Sequence, residues 1–331
     1  MMPEHENRSS TGVKPRLRAM TAAVVSPALL LMPSVGFAEV IGAPAGNGPW
    51  QAVAESLESD PAYTFYRPET PPDQRLPLVV WGNGGCRDNG LSASHLLREI
   101  ASHGYIVVAN GAPREEEPPS ATQERPPREQ LAANPAPPPA TSTPRVDETS
   151  YEGLLAGIEV AARLNREAGS PYAGRIDTNR VAVLGYSCGG LQAIAAGDDP
   201  RVDTVLVFNS GVLNEGTSGP SNVAVSKADL AKLRVPIAYV LGGESDIAFA
   251  NGRDDFQRID HVPTIFASLP VGHGGTFHRY NGGDWARVGT AWLDWQLKGD
   301  AAAGHWFVGR DCVLCSTYGW TIETKGLPSA P

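Results

Sequence analysis

The stretch of this sequence that most constrains its fold lies at residues 181–190. Its beginning, Val-Ala-Val-Leu, is typical of a buried strand, and Gly185-Tyr-Ser-Cys-Gly189 follows directly. The small residues after it predict a helix that packs closely on a sheet. A strand that turns this sharply into a helix holds its central serine in a strained conformation, with the hydroxyl exposed near a helix N-terminus. The pattern predicts a nucleophile at Ser187; the alternative is a serine with only a structural role in a turn.

Further apolar runs predict other buried strands along the chain. They lie at residues 61–68, 76–81, 105–110, 204–209, 235–241 and 264–269. Helices are predicted over residues 92–102, 150–166 and 284–298, and the tryptophans along one face of the last indicate core packing rather than an aromatic binding platform. Strands that alternate with helices form right-handed crossovers between parallel strands. We therefore predict one α/β domain over residues 39–331, with a mostly parallel sheet.

The N-terminus departs from the composition of a folded domain. Lys14, Arg16 and Arg18 precede an apolar stretch that ends in small residues before Ala38. A basic flank, a short apolar core and a small-residue cleavage site are the features of a secretory signal peptide. We predict a signal peptide over residues 1–38, and a secreted or periplasmic mature protein without stable membrane insertion. An uncleaved membrane anchor is the alternative.

A proline-rich segment interrupts the pattern of strands and helices. Residues 112–145 contain ten prolines and a run of three glutamates. Such a segment buries too little apolar surface to offset the entropy of ordering it. The composition predicts a disordered surface insertion after the third strand, and a lid over the functional site is the alternative.

Net charge indicates which partners the chain can bind, and cysteine content indicates whether it forms disulfides. The chain has a formal charge of −9 and no clustered basic stripe, which argues against nucleic acid as a partner. Its four cysteines are expected to form disulfides in an oxidising compartment. Cys312 and Cys315 predict a local disulfide, with a redox pair or half of a zinc site as alternatives. Cys86 and Cys188 are the remaining pair.

A serine hydroxyl needs a base to become nucleophilic, and the base needs an acid that orients it. On a sheet with this turn, the acid and then the histidine follow the serine along the chain, each after a strand. Asp246 and His273 meet this order. Glu244 competes for the acid role, but Asp246 precedes apolar residues that favour an inward position. His278 competes for the base role, but His273 lies in a glycine loop just after the last strand. We predict a catalytic triad of Ser187, Asp246 and His273.

The negative charge that forms when the serine attacks requires two preorganised N–H donors. The backbone N–H of Cys188 is predicted to be the first. The second is predicted from Cys86 or Gly85, in the loop after the strand at 76–81. Both cysteines would then flank the same oxyanion hole. We hypothesise a Cys86–Cys188 disulfide that holds the two donors together, and two buried free thiols are the alternative.

Four short motifs resemble those of the α/β-hydrolase superfamily. They are Gly185-Tyr-Ser-Cys-Gly189, Trp81-Gly-Asn-Gly-Gly-Cys86, Ser245-Asp246 and Gly272-His-Gly274. Over residues 60–300 the chain is similar to the branch that contains dienelactone-hydrolase-like esterases, chlorophyllase-like proteins and cutinase-type polyester hydrolases. The resemblance implies an eight-stranded, mostly parallel sheet and ester hydrolysis through an acyl-enzyme, without a metal or cofactor.

The chain departs from this branch at two positions. Dienelactone hydrolases use a cysteine nucleophile, where this chain has Ser187. Polyester hydrolases of the branch carry a tryptophan further along the chain, after the strand that follows the helix next to the nucleophile. This chain has Asn209-Ser-Gly-Val212 at that place. The expected function is therefore an exported serine esterase acting on a small-molecule or polymeric ester. A lipase, cutinase or polyester hydrolase is one alternative, and a catalytically silent binding protein with this fold is another.

Overall fold

Ten strands form one mixed sheet in the computed structural model, which describes residues 38–119, 148–215, 223 and 225–327. The strands are β1 (Ala38–Ala45), β2 (Ala52–Leu57), β3 (Tyr63–Pro68), β4 (Leu76–Gly82), β5 (Ile106–Asn110), β6 (Ile176–Tyr186), β7 (Thr204–Phe208), β8 (Ile237–Leu241), β9 (Thr264–Ser268) and β10 (Thr321–Lys325). The helices are α1 (Ser94–Ser102), α2 (Tyr151–Arg166), α3 (Cys188–Ala196), α4 (Phe249–Arg258), α5 (Gly283–Lys298), α6 (Ala301–Gly304) and α7 (Val313–Ser316). Short 3-10 turns lie at Gly84–Cys86, Lys227–Lys232 and Tyr280–Gly282.

The strand order is β1-β2-β3-β5-β4-β6-β7-β8-β9-β10. The six central strands, β5, β4, β6, β7, β8 and β9, pair in parallel with their neighbours. Strands β1, β2, β3 and β10 are antiparallel additions at the two edges. The α/β class predicted from the sequence is confirmed, but the sheet has ten strands rather than eight. Strands β1, β2 and β10 escaped prediction because they lack the continuous apolar runs of strands buried on both faces.

Helices cover both faces of the sheet, and the strand residues alternate between two cores. In β4, Val79 and Trp81 belong to the core that includes residues of α1 and α5, whereas Leu78 and Val80 belong to the core on the other face, which includes residues of α2, α3 and α4. This alternation follows from the two-residue period of a strand. The sheet is therefore fixed in register by apolar burial on both sides.

The tryptophan face of α5 belongs to the core, as predicted. Trp285, Val288 and Trp292 are buried, and Trp295 packs against them beside Phe307. The helix thereby holds the sheet from one face and brings the indole of Trp285 close to the carboxyl end of β7.

The start of the proline-rich segment lies along α1. The backbone carbonyl of Glu115 accepts a hydrogen bond from Asn89, and Glu116 forms an ion pair with Arg98. Residues 120–147, the greater part of the predicted insertion, lie outside the described residues. The predicted signal peptide also lies outside them except for Ala38, which begins β1. None of the helices in the described ranges is long and apolar enough to cross a membrane.

Candidate active site

The elbow at residues 185–189 joins β6 to α3. Ser187 has a φ of 52° and a ψ of −117°, a backbone conformation that non-glycine residues rarely adopt. A Cβ on Gly189 would lie 2.0 Å from the carbonyl oxygen of Gly82, so the backbones of β4 and α3 approach each other too closely for any side chain there. Ser210 Oγ donates to the carbonyl of Ser187 at 2.7 Å. These contacts hold the strained turn in place.

The three predicted triad residues come together at the carboxyl edge of the sheet. Ser187 Oγ lies 3.0 Å from His273 Nε2, and His273 Nδ1 lies 2.6 Å from Asp246 Oδ1. A carboxylate only accepts hydrogen bonds, so Nδ1 carries the proton and Nε2 is left to accept from the serine hydroxyl. The arrangement can transfer a proton from Ser187 to His273 while Asp246 holds the ring.

Asp246, and not Glu244, faces the histidine. Asp246 is 3 % exposed, whereas Glu244 points to solvent. The backbone N–H groups of Gly242 and Ala248 donate to the Asp246 carboxylate at 3.0 and 2.9 Å. Burial acts to raise the pKa of Asp246, but the hydrogen bond and charge of His273 and these N–H groups together lower it below the ordinary value of 3.8.

These hydrogen bonds predict a pH-dependent contribution of Asp246 to stability. Because its pKa is lower in the folded chain than in the unfolded one, the contribution is complete above the ordinary pKa and is lost as pH falls through the folded value. In urea unfolding, the free-energy difference between wild type and Asp246→Asn should be constant near neutral pH and shrink below about pH 4. Glu244→Gln, which removes an exposed carboxylate from the same loop, is the control. A difference that persists unchanged through the acid range would contradict this account.

His278, the competing histidine, lies elsewhere. Its Nδ1 is 3.4 Å from Glu117 Oε2, and its side chain is partly exposed. Tyr186, which precedes the nucleophile, packs instead against the His273 ring at a centroid distance of 5.4 Å. Burial, and then the charge of Asp246, raise the pKa of Tyr186 to about 12. Tyr186 therefore forms a neutral aromatic wall beside the imidazole.

The predicted oxyanion donors lie on two segments that a disulfide joins. Cys188 is the first residue of α3, where backbone N–H groups have no partner within the helix. The N–H of Cys86 donates to the Asn83 carbonyl at 3.1 Å, so this donor is already used within its turn. Gly85 is exposed and has a φ of 63°, and its N–H is the remaining loop candidate for the second oxyanion donor.

Both predicted disulfides are confirmed. Cys86 is bonded to Cys188, and Cys312 to Cys315. Gln192 and Thr149 support the first bond, since Gln192 Nε2 lies 3.1 Å from Cys86 Sγ and the Thr149 N–H donates to the Cys86 carbonyl at 2.7 Å. Two disulfides fit a protein of an oxidising compartment.

Asn209 is a residue of the site that the motifs do not predict. It follows β7, is fully buried, and donates to Asp246 Oδ2 at 2.8 Å. A signal was nevertheless present in the sequence, because an asparagine that closes a buried apolar run lies at the edge where the other site loops begin. The sequence motifs distinguish this position only by the absence of the tryptophan that polyester hydrolases carry after this strand.

A small recess of about 40 Å³ opens beside the elbow. This volume has room for a few water molecules, each of which needs at least about 10–15 Å³. Trp81, Ala93 and Phe277 form its apolar part, and Tyr186 forms the side toward the nucleophile. The remaining lining residues include Arg87 and Glu117, which are exposed to solvent, and His278, which is partly exposed.

The sequence matches none of the protein-family models and none of the curated proteins with which it was compared. Within the described ranges, no group of three or more His, Cys, Asp or Glu side chains is arranged to hold a metal ion.

Proposed function

We propose that this chain is an exported serine hydrolase of the α/β-hydrolase fold that cleaves carboxylic esters through an acyl-enzyme. The observation that carries the proposal is the hydrogen-bonded series from Ser187 through His273 to Asp246, at 3.0 and 2.6 Å. The strained elbow supports it, because a positive φ at a non-glycine residue is characteristic of a nucleophile held at such a turn. The disulfides are compatible with a secreted or periplasmic location.

In the first half of the proposed reaction, Ser187 Oγ attacks the ester carbonyl carbon as its proton passes to His273 Nε2. Asp246 stabilises the imidazolium that forms. The carbonyl oxygen becomes an oxyanion that accepts hydrogen bonds from the N–H groups of Cys188 and Gly85. His273 then donates the proton to the alkoxide as the carbon–oxygen bond breaks, which releases the alcohol and leaves the acyl group on Ser187.

In the second half, water takes the place of the alcohol. His273 Nε2 accepts a proton from the water as its oxygen attacks the acyl carbon, and the same two N–H groups receive the second oxyanion. Collapse of this intermediate returns the proton to Ser187 Oγ and releases the carboxylic acid. All protons balance over the cycle, and the side chains named suffice for it.

The recess supports a preference for esters with one short substituent. A space of about 40 Å³ between Trp81, Ala93 and Phe277 admits a group of very few heavy atoms. Long acyl chains would have to lie along the open surface instead. This observation favours a short-chain esterase over the lipase, cutinase or polyester hydrolase alternatives.

The proposal is tested with purified protein, a fluorophosphonate probe and a substrate panel. We expect the probe to modify one serine, identified by peptide mass spectrometry as Ser187, and p-nitrophenyl acetate and butyrate to be hydrolysed faster than the laurate ester. Failure of both labelling and hydrolysis in the folded protein would favour the silent binding protein. Preferential release of products from long-chain esters or an insoluble polyester would instead favour the lipase and polyesterase alternatives.

A further inference from the structure

Asn209 occupies an unusual place next to the candidate triad without belonging to it. It directly follows β7, its side chain is fully buried, and its φ is 45°. Asparagine is among the few non-glycine residues that tolerate this left-handed conformation. The left-handed backbone and the full burial together indicate that this position requires an asparagine side chain.

The amide of Asn209 connects three separate elements. Its Nδ2 donates to Asp246 Oδ2 at 2.8 Å and to the backbone carbonyl of Gly272 at 3.1 Å. Its Oδ1 accepts from Trp285 Nε1 at 2.6 Å. An indole N–H can only donate, and a carboxylate and a carbonyl can only accept, so the partners themselves determine which way the amide faces.

Each of these contacts bears on the proton-transfer geometry. Asp246 Oδ1 accepts from His273, and the donors on Oδ2, Asn209 and the Gly242 N–H, oppose rotation of the carboxylate away from the ring. Gly272 directly precedes His273, so the same amide also fixes the start of the histidine loop. Trp285, fully buried on α5, holds the amide from the opposite side.

We propose that Asn209 is a positioning residue that fixes the acid and the histidine loop together, and that Trp285 fixes Asn209. The inference rests on the proposed hydrolase function. It adds a residue that touches no substrate and acts through Asp246 and His273. A serine at position 209 would be too short to reach both partners, and an aspartate would place a second carboxylate beside Asp246. The asparagine amide reaches both partners and adds no charge beside Asp246.

The helix α5 provides a matched pair of variants. Trp285 and Trp292 are both fully buried on it, and each indole N–H donates to the β7 segment, Trp285 to Asn209 at its carboxyl end and Trp292 to Thr204 at its start. Trp285→Phe and Trp292→Phe therefore remove the same donor from the same helix. We expect similar losses of thermal stability, but only Trp285→Phe should lower kcat, by about tenfold with KM unchanged. Equal kcat values in the two folded variants would overturn the proposal.

Asn209→Asp keeps the shape of the side chain and its tolerance of positive φ. A second carboxylate near the imidazole favours its charged form, so the acid limb of the pH profile of kcat/KM should move to higher pH. The loss of a donor to Asp246 should also lower kcat by about a hundredfold. A wild-type profile and a wild-type kcat in Asn209→Asp would show that the amide only fills space.

A spectroscopic readout separates this inference from the proposed function. The proton between His273 Nδ1 and Asp246 should give a downfield proton NMR resonance in the wild type that shifts or broadens in Trp285→Phe and persists in Trp292→Phe. If the wild type neither hydrolyses esters nor reacts with a fluorophosphonate, the proposed function fails, yet this comparison still tests the positioning by Asn209. An unchanged resonance in Trp285→Phe would overturn the inference on its own.

Discussion

Replacing Ser187 by alanine is expected to abolish ester hydrolysis while the chain remains folded. The hydroxyl 3.0 Å from His273 Nε2 is the proposed attacking atom. Loss of such a nucleophile lowers kcat by a factor on the order of 10⁶. The measurement is the initial rate with p-nitrophenyl acetate, with circular dichroism and thermal unfolding to verify the fold, and labelling by a fluorophosphonate should disappear together with the rate.

A surface serine serves as the control for this substitution. Ser59 is exposed and its hydroxyl donates to the adjacent Asp60, so Ser59→Ala changes the same atom far from the elbow. It should retain the wild-type rate and probe labelling. Turnover by folded Ser187→Ala at the wild-type rate would exclude this serine as the nucleophile and with it the acyl-enzyme mechanism.

The second large effect is expected from the Cys86–Cys188 disulfide beside the proposed oxyanion hole. In a Cys86→Ser/Cys188→Ser double variant the loop with Gly85 is no longer tied to the start of α3. Cys86 has a φ of 49°, which an unrestrained loop would leave. Displacement of one oxyanion donor lowers kcat by about 10² to 10³. We expect that loss in kcat with little change in KM, measured in variants verified as folded.

The disulfide between Cys312 and Cys315 provides the matched control. It closes a separation of three residues, against 102 residues for Cys86–Cys188, so it restricts the unfolded chain far less. Cys312→Ser/Cys315→Ser should keep the wild-type kcat. In the chain-entropy picture, removal of the longer-range bond costs about 4–5 kcal/mol of stability. Undiminished kcat in the folded Cys86→Ser/Cys188→Ser variant would refute a catalytic role for this disulfide.

The central strands and their helices could be predicted because their signals are local. The runs at 76–81, 105–110 and 204–209 are apolar except at their ends, as expected of strands buried on both faces. The edge strands carry weaker patterns. Thr321–Lys325 has a single apolar residue, Ile322, because it pairs with β9 on one side only and leaves most of its residues exposed. Its place in the sheet depends on a partner more than 50 residues earlier.

The residues of the candidate site also differ in whether the sequence alone could predict them. Ser187, Asp246 and His273 could be chosen because each lies in a loop after a predicted strand, and parallel strands bring such loops to one edge. The choice of Asp246 over Glu244 agrees with its burial beside His273. Asn209 could not be assigned a role, since its proposed role depends on an indole 76 residues later in the chain and on a backbone carbonyl 63 residues later.

Spacing along the chain encodes the α/β class, the sharp turn at Ser187 and the order in which the proposed nucleophile, acid and histidine follow one another. Which polar groups satisfy one another depends on the tertiary structure. In the folded chain Cys86 is bonded to Cys188, the Cys86 N–H is used within its own turn, so that Gly85 remains the proposed loop donor, and Asn209 lies between Asp246 and Trp285. Buried polar atoms must find partners wherever folding brings them. Those partners come from distant elements, so local patterns do not specify them.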